Sequence, residues 1–172
     1  GTSAGSVLAA FLGCGIGGET LRNHQQGVVG PDDPQISYDP DRDSGGALPP
    51  LPRPFIGSPR GVVSSALRPW RTTPMMALSA VLPQGRGSLA PVGELVDAVV
   101  APGEWAPHPQ TWVVAMDYDS GRRTVFGRTG APQAGLRDAV MASCAIPGWY
   151  APVKVGRRRY VDGGACSPTS LD

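Results

Sequence analysis

Proline and glycine interrupt this chain so often that no long helix and no extended apolar run has room to form. Its 172 residues include 24 glycines and 19 prolines, a quarter of the chain where roughly 12% is usual. Short elements joined by many turns are the expected building blocks. A hydrophobic fraction of 41% suffices for a core and is too high for a disordered chain, and the length suits one domain. With 15 basic residues against 14 acidic ones, the net charge is +1. That balance lacks the basic excess needed to bind a phosphate backbone, so nucleic acid is not an expected partner.

Cysteine and histidine narrow the chemistry further. Cys14, Cys144 and Cys166 form no Cys-x-x-Cys pair, and His24 and His108 are the only histidines. Neither a disulfide framework nor a structural metal site is expected, no cofactor is implied, and a reduced cytoplasmic setting is the default. No stretch reaches the ~18 apolar residues that cross a bilayer, and no basic leader precedes an apolar core. The chain begins at Gly1 without Met, and a fragment of a longer protein is the expectation.

Local patterns place the elements. Residues 4–12 (AGSVLAAFL) predict a buried helix leaving the turn Gly1-Thr2-Ser3-Ala4-Gly5. Residues 23–60 are rich in Pro, Gly, Asp and Arg without periodicity, and predict a long variable loop of partly polyproline character. Short helices are predicted near 61–68, 74–82, 92–100 and 134–144. Residues 111–116 and 124–126 predict a hairpin about the Asp119–Arg122 turn, and 153–155 and 159–161 two further strands. This mixture predicts an α/β architecture.

Gly1-Thr2-Ser3-Ala4-Gly5 fits G-x-S-x-G, the tight turn that presents a serine at a helix N-terminus. A random chain of this composition would contain such a match about a quarter of the time, so its weight comes from the apolar helix that follows. A serine nucleophile needs a base, for which His, Asp or Glu would serve. His24 stands at the edge of the Pro/Gly-rich stretch and His108 lies between Pro107 and Pro109, where solvated roles are the simpler reading. Asp162 precedes Gly163-Gly164 after an apolar strand and is the carboxylate candidate, with an ordinary turn as its alternative.

Together with Ala142-Ser143-Cys144-Ala145-Ile146-Pro147-Gly148, Ala151-Pro152-Val153 and Tyr160-Val161-Asp162-Gly163-Gly164, the serine turn resembles the patatin-like phospholipases in residues, order and spacing. The resemblance implies a three-layer α/β/α fold with a central sheet. It implies a Ser–Asp dyad, with Ser3 as nucleophile and Asp162 as general base, cleaving lipid esters through an acyl-serine. Gly1, Ala4 and Gly5 would form the elbow, with the Ala4 amide facing the oxyanion, and Gly163 and Gly164 the active-site loop. The family also places a glycine-rich oxyanion loop and a strand before the elbow, and further elements after the Asp-Gly-Gly loop. Neither stands in these 172 residues, so the expectation is a partial catalytic domain.

Two rivals accompany this reading: a Ser3–His108–Asp162 triad on an α/β-hydrolase sheet, and a catalytically silent lipid-binding module. Met75, Met76, Leu78, Val81 and Leu82 have helical spacing, which suits ordinary core first and an acyl groove second. Arg68, Trp70 and Arg71 suit a lipid interface or a solvated loop, and peripheral membrane contact is the corresponding expectation. Ser143 and Cys144 are expected to pack or cap near the dyad, with no base beside the thiol.

Overall fold

The computed structural model describes residues 1–31, 34, 36 and 51–166. Its helices are α1 (Ala4–Gly13), α2 (Gly18–Gln25), α3 (Pro59–Leu67), α4 (Pro74–Val81), α5 (Ala90–Asp97) and α6 (Leu136–Cys144). The strands are β1 (Val113–Asp117), β2 (Arg123–Phe126), β3 (Val153–Val155) and β4 (Arg158–Asp162), and they form one sheet in the order β2-β1-β4-β3. All three pairings between these strands are antiparallel. The fold is α/β.

Strand β1 is central because its five residues are all buried. Its alternating side chains feed two separate cores, as the period of two in a strand requires. Val113 and Ala115 point to a face covered by α1, α5 and α6, where Phe126, Leu136, Val140 and Tyr160 are buried. Phe126 and Tyr160 meet edge to face with centroids 5.0 Å apart. Met116 points to the other face, with Tyr118, Val161 and Ala165, and Met76 of α4 packs over them. Helices thus cover both faces of the sheet.

Two helix starts have a clear local cause. Pro59 and Pro74 open α3 and α4, where a missing N–H costs nothing. Ser58 caps α3 by accepting the Gly61 N–H at 3.0 Å, and its hydroxyl donates to Asp119 Oδ1 at 2.8 Å. Asp119 also pairs with Arg159 at 2.5 Å, so the start of α3 is latched to the β1–β2 turn and to β4. Burial opposes the Asp119 charge, but Arg159 and Ser58 hold its carboxyl below the usual range. Across the opposite face, Arg137 of α6 pairs with Asp97 of α5.

The predicted loop over 23–60 is shorter than expected. Helix α2 runs into it as far as Gln25, and α3 begins at Pro59. None of the residues of α2 is buried, so it has no apolar stripe for periodicity to detect. Residues 32, 33, 35 and 37–50, including the first part of the Leu48–Pro54 run, lie outside the described residues. In the described part of that run the Arg53 N–H donates to the Gln84 carbonyl at 2.9 Å.

Candidate active site

Strand β1 brings together two residues that are remote in sequence. Gly1 pairs along it in the parallel sense: its amino group donates to the Trp112 carbonyl at 2.6 Å, and its carbonyl accepts the Val114 N–H at 2.9 Å. Strand β4 occupies the same edge, with Asp162 opposite Ala115 and the Tyr118 N–H donating to the Arg159 carbonyl. Gly1 and Asp162 therefore meet β1 two residues apart, about 7 Å at the rise of an extended strand. The chain from Gly1 turns at Ser3 into α1, and the chain from Asp162 turns into the short helix Gly163–Ala165. Ser3 and Asp162 both line the cleft left between these turns.

Ser3 is the only non-glycine residue with positive φ among those described, at φ 51° and ψ −131°. Such a backbone costs on the order of 1–3 kcal/mol and persists only where its surroundings enforce it. Three hydrogen bonds do so here. The Ser3 N–H donates to Ser143 Oγ at 2.9 Å, while its carbonyl accepts from the Ser6 N–H at 2.7 Å and from Ser6 Oγ at 2.6 Å. Ser143 is fully buried and donates onward to the Val114 carbonyl at 2.6 Å, so β1 anchors the turn through α6. Although Ser3 sits at the N-cap of α1, its side chain makes no capping bond.

The glycines of the turn are not equivalent. A side chain on Gly1 would lie 2.1 Å from the Gly5 carbonyl oxygen, so the close approach of the turn to the first helical residues demands glycine there. Nothing lies within 4 Å of where a Gly5 side chain would start. On the other loop, a Gly163 side chain would strike the Val114 carbonyl oxygen at 2.6 Å. The Gly164 N–H donates to Asp162 Oδ1 at 2.7 Å. Ala4 occupies the first position of α1, where an N–H has no acceptor within the helix and lies at the positive end of its dipole.

Asp162 is 7% exposed. Burial pushes its carboxyl above the usual range, against the hydrogen bonds from Gly164 and from the Ser3 side chain. Cys144 lies 3.8 Å from Ser6 Oγ. Burial, reinforced by the charge of Asp162, pushes its thiol up to about 11, which keeps it protonated and weakly nucleophilic at neutral pH.

The cleft measures about 440 Å³. Thr2, Ser3, Asp162 and Gly164 form its polar end, and Met75, Leu82, Ile146 and Pro147 its apolar wall. The helical run that suited either core or groove divides between them. Met75 and Leu82 line the cleft, Met76 enters the core, and Leu78 and Val81 are half exposed to solvent. Helical spacing alone could not sort them, because the sorting follows from how α4 is rotated over the sheet. Ile146 and Pro147 line the wall without having been singled out for it.

The Ser3–His108–Asp162 arrangement requires correction. The His108 N–H donates to the carbonyl of Gly13, the last residue of α1, whereas Ser3 precedes the first. Ten helical residues separate the two ends by about 15 Å. His108 Nδ1 instead accepts the Gln110 N–H. His24 lies on α2 and is not among the residues that line the cleft.

A search of the curated proteins finds no match to this chain. The family model described as Patatin-like phospholipase matches residues 1–172. With that match over its full length, the chain belongs to the patatin-like phospholipases, a family of lipid acyl hydrolases.

Proposed function

We propose that this chain cleaves carboxylic ester bonds of lipids with a Ser3–Asp162 dyad, through an acyl-serine intermediate. The observation that carries the reading is the strained Ser3 backbone, with a side chain that leaves the helix uncapped and instead hydrogen-bonds Asp162 at the polar end of the cleft. The ester carbonyl would lie against Ser3 Oγ with its acyl chain along Met75, Leu82 and Ile146. As Oγ attacks the carbonyl carbon, its proton passes to the ionised Asp162 carboxylate. The Ala4 N–H and the α1 dipole would meet the oxyanion. Collapse of the tetrahedral adduct expels the alkoxide, which takes the proton back from Asp162. Water then attacks the acyl carbon, giving up a proton to Asp162, which passes it to Ser3 Oγ as the fatty acid leaves and the dyad is restored.

A fluorophosphonate probe tests the nucleophile directly, because only an activated serine attacks such phosphorus readily. The expected result is one labelled site, at Ser3, abolished in Ser3→Ala. Labelling that survives this substitution overturns the assignment. A folded protein that takes no label favours the silent lipid-binding module.

A further inference from the structure

The wall of the cleft continues outward onto a surface with an unusual combination of side chains. Met75, Leu78 and Leu82 recur at i, i+3 and i+7 along α4, and the first and last line the cleft, so the apolar stripe runs along its mouth. In the segment that leads into α4, Leu67 and Trp70 are exposed as well, Trp70 at 78%. At the other end Ile56 bridges to Pro83, placing exposed Phe55 and Ile56 beside the end of the helix. Ile146 on the cleft wall is also exposed, as is Trp149 three residues on. Scattered apolar residues are normal on a surface, but a contiguous set around a cleft marks a contact site.

The charges on the same segment point to the partner. Residues 51–93 contain Arg53, Arg60, Arg68, Arg71 and Arg86 and no Asp or Glu, in a chain whose net charge is +1. The rest of the chain is therefore net negative. All five arginines are exposed, and among the described residues none forms an ion pair. Arg68 and Arg71 flank the exposed indole of Trp70, an arrangement that places guanidinium groups at headgroup depth while the ring enters the interface.

We propose that this face, centred on Trp70 and the outer stripe of α4, docks on the surface of a bilayer containing anionic lipids and so sets the cleft mouth against the membrane. The inference supplies the proposed ester site with the source of its substrate, and its test separates the two. Binding is measured on the Ser3→Ala protein, by flotation with vesicles of phosphatidylcholine alone and of phosphatidylcholine mixed with phosphatidylglycerol. The mixed vesicles should carry the protein, and added salt should weaken the binding. Replacing both Arg68 and Arg71 by Gln should reduce partitioning about fivefold per arginine, the factor equivalent to ~1 kcal/mol for each basic residue at an anionic surface. Trp70→Ala should lower it by about tenfold, through lost apolar burial.

With Ser3 restored, these surface variants should hydrolyse a soluble short-chain nitrophenyl ester as the parent does, while turnover of vesicle lipid falls in step with binding. Equal binding to both vesicle types overturns the proposal, as do absence of binding and arginine variants that bind like the parent. Self-association lost in Trp70→Ala, without vesicle binding, assigns the face to a second copy of the chain and also overturns it. Vesicle binding by a protein whose Ser3 form hydrolyses neither substrate removes the dyad and leaves the docking surface standing.

Discussion

On one face of the sheet Phe126 and Tyr160 lock edge to face beneath α1, α5 and α6, in a cluster of twelve buried residues among those described. On the other face Met116, Tyr118, Val161 and Ala165 form a cluster of four, under Met76 of a helix that leaves Met75, Leu78 and Val81 half exposed. The first face holds what must not move. It carries Ser143, and through it the backbone of Ser3 is fastened to β1. The second supplies the apolar cleft wall, where the proposed function would lay the acyl chain. Placing the strained turn on the packed side and the groove on the lightly packed side lets one be rigid while the other yields.

The largest effect should come from a change confined to the dyad. Asp162→Asn keeps the shape of the side chain and the Gly164 hydrogen bond but removes the proton acceptor. Turnover of a nitrophenyl fatty ester should fall ~10²–10⁴-fold, the usual contribution of a general base. Turnover within a fewfold of the parent would take Asp162 out of the mechanism, whatever its position in the cleft.

The contrast between the faces is broken or sharpened next by paired truncations. Leu136 is fully buried under the packed face, and Leu136→Ala should cost about 2–5 kcal/mol of unfolding free energy. Met76 is partly buried on the other face, and its truncation to Ala should cost only about 1–2 kcal/mol, since α4 can settle into the space. Chemical denaturation measures both. A Met76 cost equal to or above that of Leu136 would mean that the second face is as tightly built as the first, and the account of a yielding groove would fail.

The same contrast explains how much could be read in advance. The serine turn, the Asp-Gly-Gly loop, the β1–β2 hairpin and the two short strands that follow α6 depend on neighbouring residues, and their types and approximate bounds are legible from local chemistry. Gly1 is needed because the turn nearly touches Gly5, a constraint contained within five residues. What could not be read depends on how elements lie over one another. Packing or capping near the dyad is the sequence expectation for Ser143, but its particular bonds to Ser3 and Val114 exist only because α6 crosses β1 beside Gly1, and nothing in Ala-Ser-Cys specifies them. Excluding His108 required knowing that its N–H bonds the carbonyl of Gly13, at the far end of α1 from Ser3. Helix α2 escaped because propensity without burial leaves no periodic trace.

The smallest expected effect concerns stability, and it separates a residue placed for chemistry from one placed for structure. The Asp162 carboxyl is held above its usual range chiefly by burial, so folding disfavours its charged form. The native state then binds the proton more tightly than the unfolded chain does. Stability from this group is full below the unfolded carboxylate range and declines as pH rises through the higher native value. Asp162→Asn carries no such penalty, so at neutral pH it should unfold at a higher temperature than the parent, and the difference should close in acid. Asp119, latched to Arg159 and Ser58, runs the other way: its carboxyl is held low, and its contribution is present at neutral pH and lost as pH falls. Each kcal/mol appears as ~2–4 °C in the midpoint of a domain of this size, within reach of scanning calorimetry across a pH series. If Asp162→Asn instead melts below the parent at neutral pH, the carboxylate is a net stabilising partner of Ser3 and Gly164, and its burial does not mark it as a group kept against the interests of the fold.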